Sequence, residues 1–168
     1  LENQNSELAH KVLINDGLGN FSIDSEIIQL ENVSVSSELF DIDNDGNIDL
    51  VSGAGSVKIL FGGYSNYSQE NSYELFEYAG DDWEPYDYIF YDFDGNGLDD
   101  IVVSFSNGNG YKIRIFKQTA SRYFEEFTED LIQNYTDLNH SIVWIKLIDV
   151  DNNCNLDLVE EDKGHFND

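Results

Sequence analysis

The reading turns on the stretch Asp41-Ile42-Asp43-Asn44-Asp45-Gly46-Asn47-Ile48-Asp49-Leu50-Val51. Carboxylates stand at positions 1, 3, 5 and 9 of a nine-residue run, glycine stands at position 6, and a β-prone pair follows. The same grammar returns in Asp92-Phe93-Asp94-Gly95-Asn96-Gly97-Leu98-Asp99-Asp100-Ile101-Val102. It returns again in Asp149-Val150-Asp151-Asn152-Asn153-Cys154-Asn155-Leu156-Asp157-Leu158-Val159. The three starts lie 51 and 57 residues apart, which is an internal repeat of the length used by stacked β-blades.

The flanks repeat too. An apolar or aromatic segment precedes each acidic run: Leu39-Phe40, Tyr88-Ile89-Phe90-Tyr91, and Ile142-Val143-Trp144-Ile145 with Leu147-Ile148. A short apolar run follows each, then small residues, then an alternating strand such as Val57-Lys58-Ile59-Leu60-Phe61 or Tyr111-Lys112-Ile113-Arg114-Ile115-Phe116. Alternation of apolar and polar residues is the pattern of a half-buried strand. At the start of the chain, Val12-Leu13-Ile14, the turn Asn15-Asp16-Gly17-Leu18-Gly19-Asn20 and Phe21-Ser22-Ile23 read as a hairpin. The fold class expected is therefore all-β, built from antiparallel four-stranded blades of the propeller type. The chain divides into the second half of one blade (8–32), repeat 1 (33–82), repeat 2 (83–140) and the first half of a third repeat (141–168). Between Ser121 and Asp137, aromatic and apolar residues at helical spacing leave a short helix and a twisted outer strand equally open.

Composition narrows the function. The 168 residues hold 34 Asp and Glu against 8 Lys and Arg, a net charge of −26. Such a surface repels phosphate backbones and anionic membranes, so nucleic acid is excluded as a partner. No apolar run approaches the ~18 residues of a membrane span, so membrane insertion is not expected. Hydrophobic residues make up 40% of the chain, enough for a packed domain rather than a disordered acidic tail. A single cysteine, Cys154, allows no internal disulfide, and the chain opens on Leu1, as a processed or excised piece of a longer product would.

Carboxylates packed this densely along the chain repel one another unless a cation holds them. Ca²⁺ suits them, as a hard ion taking six to eight oxygens in flexible geometry. In the first loop the candidate ligands are the side chains of Asp41, Asp43, Asp45 and Asp49 with the carbonyl of Asn47. The second offers Asp92, Asp94, Asn96 and Asp100 with the carbonyl of Leu98. The third offers Asp149, Asp151, Asn153 and Asp157 with the carbonyl of Asn155. Two to three ions are expected, in affinity order first, second, third, because the first loop has most carboxylates and the third has Cys154 where the others have glycine. An EF-hand needs an acid at position 12 and flanking helices. Position 12 is Ser52 in the first loop and Val103 in the second, only the third has Glu160, and the flanks are β-prone, so EF-hand and dockerin modules are not expected.

Three such loops in phase, each running into a Leu-Val-type strand, resemble FG-GAP/VCBS repeats, the calcium-loop blades of the integrin α-subunit propeller and of many bacterial surface proteins. The resemblance extends from about Lys11 to Glu161, with Asn15-Asp16-Gly17 to Phe21 matching the Gly-turn-Phe element and Phe61-Gly62-Gly63 echoing it. It implies a partial propeller of about three blades, structural calcium, and a secreted or cell-surface module for adhesion. The ligand implied is a protein or carbohydrate. Its alternatives are part of a propeller enzyme, such as a polysaccharide lyase or lipase, and a toxin-complex or secretion scaffold. No catalytic constellation is legible, so the chain is read as non-enzymatic. Further blades of a longer chain, or a homodimer joining two half-blades, would complete the ring. Cys154 is expected to be a buried small residue, and His10, His140 and His165 incidental. The runs Trp83–Tyr88 and Tyr64–Tyr67 are expected at the surface.

Overall fold

The computed structural model describes residues 12–24, 36–53, 56–64, 66–77, 83–107, 110–132 and 142–162. The chain opens with a hairpin of β1 (Val12–Asn15) and β2 (Phe21–Asp24), in which Leu13 lies opposite Ile23. Its turn is built by side chains. Asn15 Oδ1 accepts the Gly17 N–H at 2.7 Å, and Asp16 Oδ1 accepts those of Leu18 at 2.7 Å and Asn20 at 3.2 Å.

Two four-stranded antiparallel sheets follow, each with strands in sequence order. The first holds β3 (Ser37–Phe40), β4 (Asp49–Ser52), β5 (Ser56–Leu60) and β6 (Ser72–Glu77). The second holds β7 (Glu84–Tyr91), β8 (Asp100–Ser106), β9 (Tyr111–Ala120) and β10 (Tyr123–Glu126). A pair, β11 (Ile142–Ile148) and β12 (Asp157–Asp162), begins a third unit in the same way. The chain is thus all-β with blade-like sheets. Among the described residues no helix is long and apolar enough to cross a membrane.

The hydrophobic core lies between units. Strand β8 is buried along its whole length, so its alternate residues serve two different layers. Ile101, Val103 and Phe105 join Val51, Val57 and Ile59 of the first sheet in one cluster. Val102 joins Ile113, Ile115 and Ile145 in another, toward β11. That double coverage explains why Ile101-Val102-Val103 is a continuous apolar run rather than an alternating one. Aromatic pairs reinforce the contact between the two sheets: Phe40 stacks on Phe90 at 4.6 Å, and Tyr73 packs against Phe124 at 5.6 Å. The Tyr73 hydroxyl also donates to the Phe124 carbonyl at 3.2 Å.

The segment after Ser121 resolves the helix-or-strand question by containing both. Outer strand β10 pairs with β9, and one helical turn, α1 (Thr128–Leu131), follows. Thr128 is buried there because its hydroxyl accepts the Ile115 N–H at 3.0 Å. The remainder of that segment, like His10, His140 and His165, lies outside the described residues. The expectation of an exposed Trp83–Tyr88 run needs correcting: Trp83 and Tyr88 are core residues, and Tyr86 alone of the three aromatics is exposed. They belong to the entry into β7, where the first sheet covers them, and Lys112 lies over the Trp83 ring at 4.3 Å.

Candidate metal centre

Each acidic run forms the loop between the first two strands of its unit: β3 to β4, β7 to β8, and β11 to β12. The three loops share one hydrogen-bond scheme. The carboxylate at position 1 accepts the amide of position 5, from Asp45 to Asp41 at 3.0 Å, Asn96 to Asp92 at 3.1 Å and Asn153 to Asp149 at 3.1 Å. Its second oxygen accepts the amide of position 6, from Gly46 at 2.9 Å, Gly97 at 2.8 Å and Cys154 at 2.9 Å. The carboxylate at position 9 reaches back to the amide of position 2 at 2.9 Å in all three loops, from Ile42 to Asp49, Phe93 to Asp100 and Val150 to Asp157.

This winding needs left-handed backbone at two places. Position 6 is Gly46 (φ 88), Gly97 (φ 85) and Cys154 (φ 70), and position 4 is Asn44 (φ 57), Gly95 (φ 74) and Asn152 (φ 61). Asn and Gly are the residues that enter this region at least cost. The third loop therefore keeps its shape with Cys154 in a strained conformation. Cys154 is also exposed, which corrects the expectation of a buried residue: the loop winds outward and position 6 has nothing above it.

The scheme gathers the carboxylates of positions 1, 3 and 9. Oxygens of Asp41, Asp43 and Asp49 lie within 4.8 Å of one another, as do those of Asp92, Asp94 and Asp100, and of Asp149, Asp151 and Asp157. An all-oxygen donor set of this span suits a hard divalent cation. Position 5 is engaged differently. Asp45 accepts from the Asn47 backbone N–H at 2.8 Å, Asn96 donates to the Gln118 carbonyl at 3.0 Å, and Asn153 donates to Asp151 at 2.9 Å. Positions 47, 98 and 155 lie in the same loops, each donating its amide to the side chain at position 5.

Burial sets the electrostatics. Asp49 and Asp100 are raised above the ordinary carboxylate range, first by desolvation and then by neighbouring acids, Asp43 and Asp45 for the one and Asp94 for the other. Asp92 is lowered, chiefly by the Gly97 amide, and Asp45 chiefly by the Asn47 amide. Asp99, at position 8 of the second loop and facing Asn44 of the first, is raised by burial and by the Asp92 charge, while a hydrogen bond from Asn44 opposes the shift.

Residues outside the loops complete the first two, and the acidic pattern does not reveal them. The Gly62 N–H donates to Asp49 at 2.8 Å. A Cβ at Gly62 would sit 2.1 Å from the Ile48 carbonyl oxygen, so only glycine lets the chain pass this close. Tyr67, expected at the surface, is half-buried and donates to that same carbonyl at 2.7 Å, whereas Tyr64 is exposed. Gln118 is fully buried and joins both loops. Its backbone N–H donates to Asp100 at 2.8 Å. With its amide nitrogen directed at two carbonyls, its side chain donates to Asp99 and Ile42 at 3.1 and 3.0 Å, and its oxygen accepts the Arg122 N–H at 3.1 Å.

Two cations also reach these loops. Lys117 pairs with Asp94 at 3.4 Å in the second. Arg122 pairs with Asp43 through Nε and with Asp45 through Nη2 at 3.0 Å in the first.

Comparison with known proteins agrees with this architecture over part of the chain. Residues 92–160 match the family model of an FG-GAP-like repeat. No curated protein and no solved structure matches the chain. The matched span holds the second and third loops and strands β8 to β11, while the first loop, outside it, has the same hydrogen-bond scheme. Over Asp92 to Glu160 the chain is similar to an FG-GAP-like repeat, and that span folds as antiparallel β-sheet units.

Proposed function

We propose that the chain is a calcium-stabilised repeat module of an extracellular or cell-surface protein, non-catalytic in itself, that presents a surface for a protein or carbohydrate ligand. The observation that carries this reading is the threefold recurrence of three carboxylates gathered within 4.8 Å on one loop scaffold. A fold with net charge −26 that draws acids together at three points gains most from divalent cations bound at those points. Calcium then acts on stability, closing each loop onto the strand that follows it. A ligand bound only by the native state adds about 2.7 kcal/mol at a hundredfold excess over its Kd. The melting temperature is expected to fall in chelator and to recover with Ca²⁺ but poorly with Mg²⁺, which demands tighter octahedral geometry. An identical melt in chelator and in millimolar Ca²⁺, with no metal retained by the purified protein, overturns the reading.

A further inference from the structure

The first loop already holds a cation of its own. Arg122 belongs to the turn between β9 and β10 of the second sheet, yet its guanidinium lies on Asp43 and Asp45 of the first unit. The side chain of Asp43 is only 2% exposed beneath it. The Phe61 ring lies 4.2 Å from the central carbon of the guanidinium, and the backbone N–H of Arg122 is held by the Gln118 side-chain oxygen, which fixes the turn that carries it. Arg122 also sits at φ 62, a left-handed backbone that side chains other than Gly and Asn enter at a cost. Asp43 raises the affinity of this guanidinium for its proton still further, so the charge is permanent.

We propose that Arg122 is a built-in competitor for the divalent cation in the first loop, so that this loop fills after the second even though it carries more carboxylates. The inference rests on the calcium reading above. The Asp43 oxygens are committed to the Asp45 amide and to Arg122, and those of Asp45 to Asn47 and Arg122. An incoming divalent ion must displace the guanidinium or sit beside a fixed positive charge. The second loop presents a lesser obstacle: Lys117 touches Asp94 with a single ammonium at 3.4 Å, and Asp94 is 33% exposed. This inverts the affinity order expected from counting carboxylates. It also ties the first loop to the second sheet, because Arg122 sits in the turn that follows β9, the strand that carries Gln118.

The test is a calcium titration of the whole ¹⁵N-labelled chain after chelator treatment, read at three amides. Gly46, Gly97 and Cys154 each donate to the position-1 carboxylate of their own loop, so each reports one site. In the unaltered protein the Gly46 cross-peak is expected to shift at higher calcium than that of Gly97. Arg122→Asn removes the charge while suiting the left-handed backbone, and is expected to tighten the first loop about tenfold, leaving Gly97 unchanged. The Arg122 Nε–H cross-peak of the unaltered protein gives a readout that needs no variant: under competition it moves with the same midpoint as Gly46. A Gly46 midpoint at or below that of Gly97, or an Arg122 Nε–H signal indifferent to calcium while Gly46 shifts, overturns the competition and leaves calcium binding standing. Silence at all three amides overturns both.

Discussion

Asp49 and Asp100 occupy the same place in successive sheets, each opening its second strand with a fully buried carboxylate that accepts two backbone amides. One amide comes from position 2 of the loop, and the other from Gly62 or Gln118, beyond the loop. These side chains are structural keystones whether or not a metal is bound.

Replacing Asp49 with Ala strands the Ile42 and Gly62 amides in the interior. An unsatisfied buried donor costs about 1–3 kcal/mol, so a loss of about 2–5 kcal/mol is expected for the pair. Asp157→Ala, at a half-buried carboxylate holding the exposed Val150 amide, should cost about 1 kcal/mol. Denaturant melts in chelator compare the two free of metal effects, and equal losses would contradict the keystone role.

Cys154→Gly should stabilise the third loop. Glycine enters the φ 70 backbone without the clash of a Cβ, which is worth on the order of 1 kcal/mol before its greater freedom in the unfolded chain is counted. A net gain of about 0.5 kcal/mol is expected in a melt under reducing conditions. A loss would mean that the thiol makes a contribution its exposure does not suggest.

The raised carboxyls give stability a pH dependence that changes sign with metal. In chelator, Asp49 and Asp100 bind protons more readily folded than unfolded, where Asp titrates near ~3.9. Their contribution to stability therefore grows as pH falls through the raised folded values, and levels off below the unfolded one. In saturating calcium the proton competes with the metal for the same oxygens, so stability should fall across that window. Melts between pH 7 and pH 4, with and without calcium, should diverge. The rise in chelator should flatten in the Asp49→Asn, Asp100→Asn double variant.

Much of this was legible in the residues. The acidic runs, the Leu-Val strands behind them and the Asn15–Asn20 turn are local patterns, and local patterns fix loops and the strands beside them. Asn44, Gly95 and Asn152 carried a second signal, since Asn and Gly recurring at position 4 mark a left-handed residue there. Gln118 and Arg122 were not legible. They act on Ile42, Asp43 and Asp45 from nearly eighty residues away, and nothing in their own neighbourhood distinguishes them from an ordinary outer hairpin. The burial of Trp83 was hidden for the same reason: which sheet covers a strand end is decided by the neighbouring unit.

The burial of β8 on both faces governs how the molecule opens. Its amides lie between two covered layers and two paired strands, so the protons of Ile101 to Phe105 can exchange with solvent only when the sheets separate. The β1–β2 hairpin, with Leu13, Phe21 and Ile23 more than half exposed, pairs among the described residues only with itself. Exchange should therefore proceed inward from the hairpin to β8, and the slowest amides there report the free energy of the whole fold, while those of the hairpin report only the fraying of one edge.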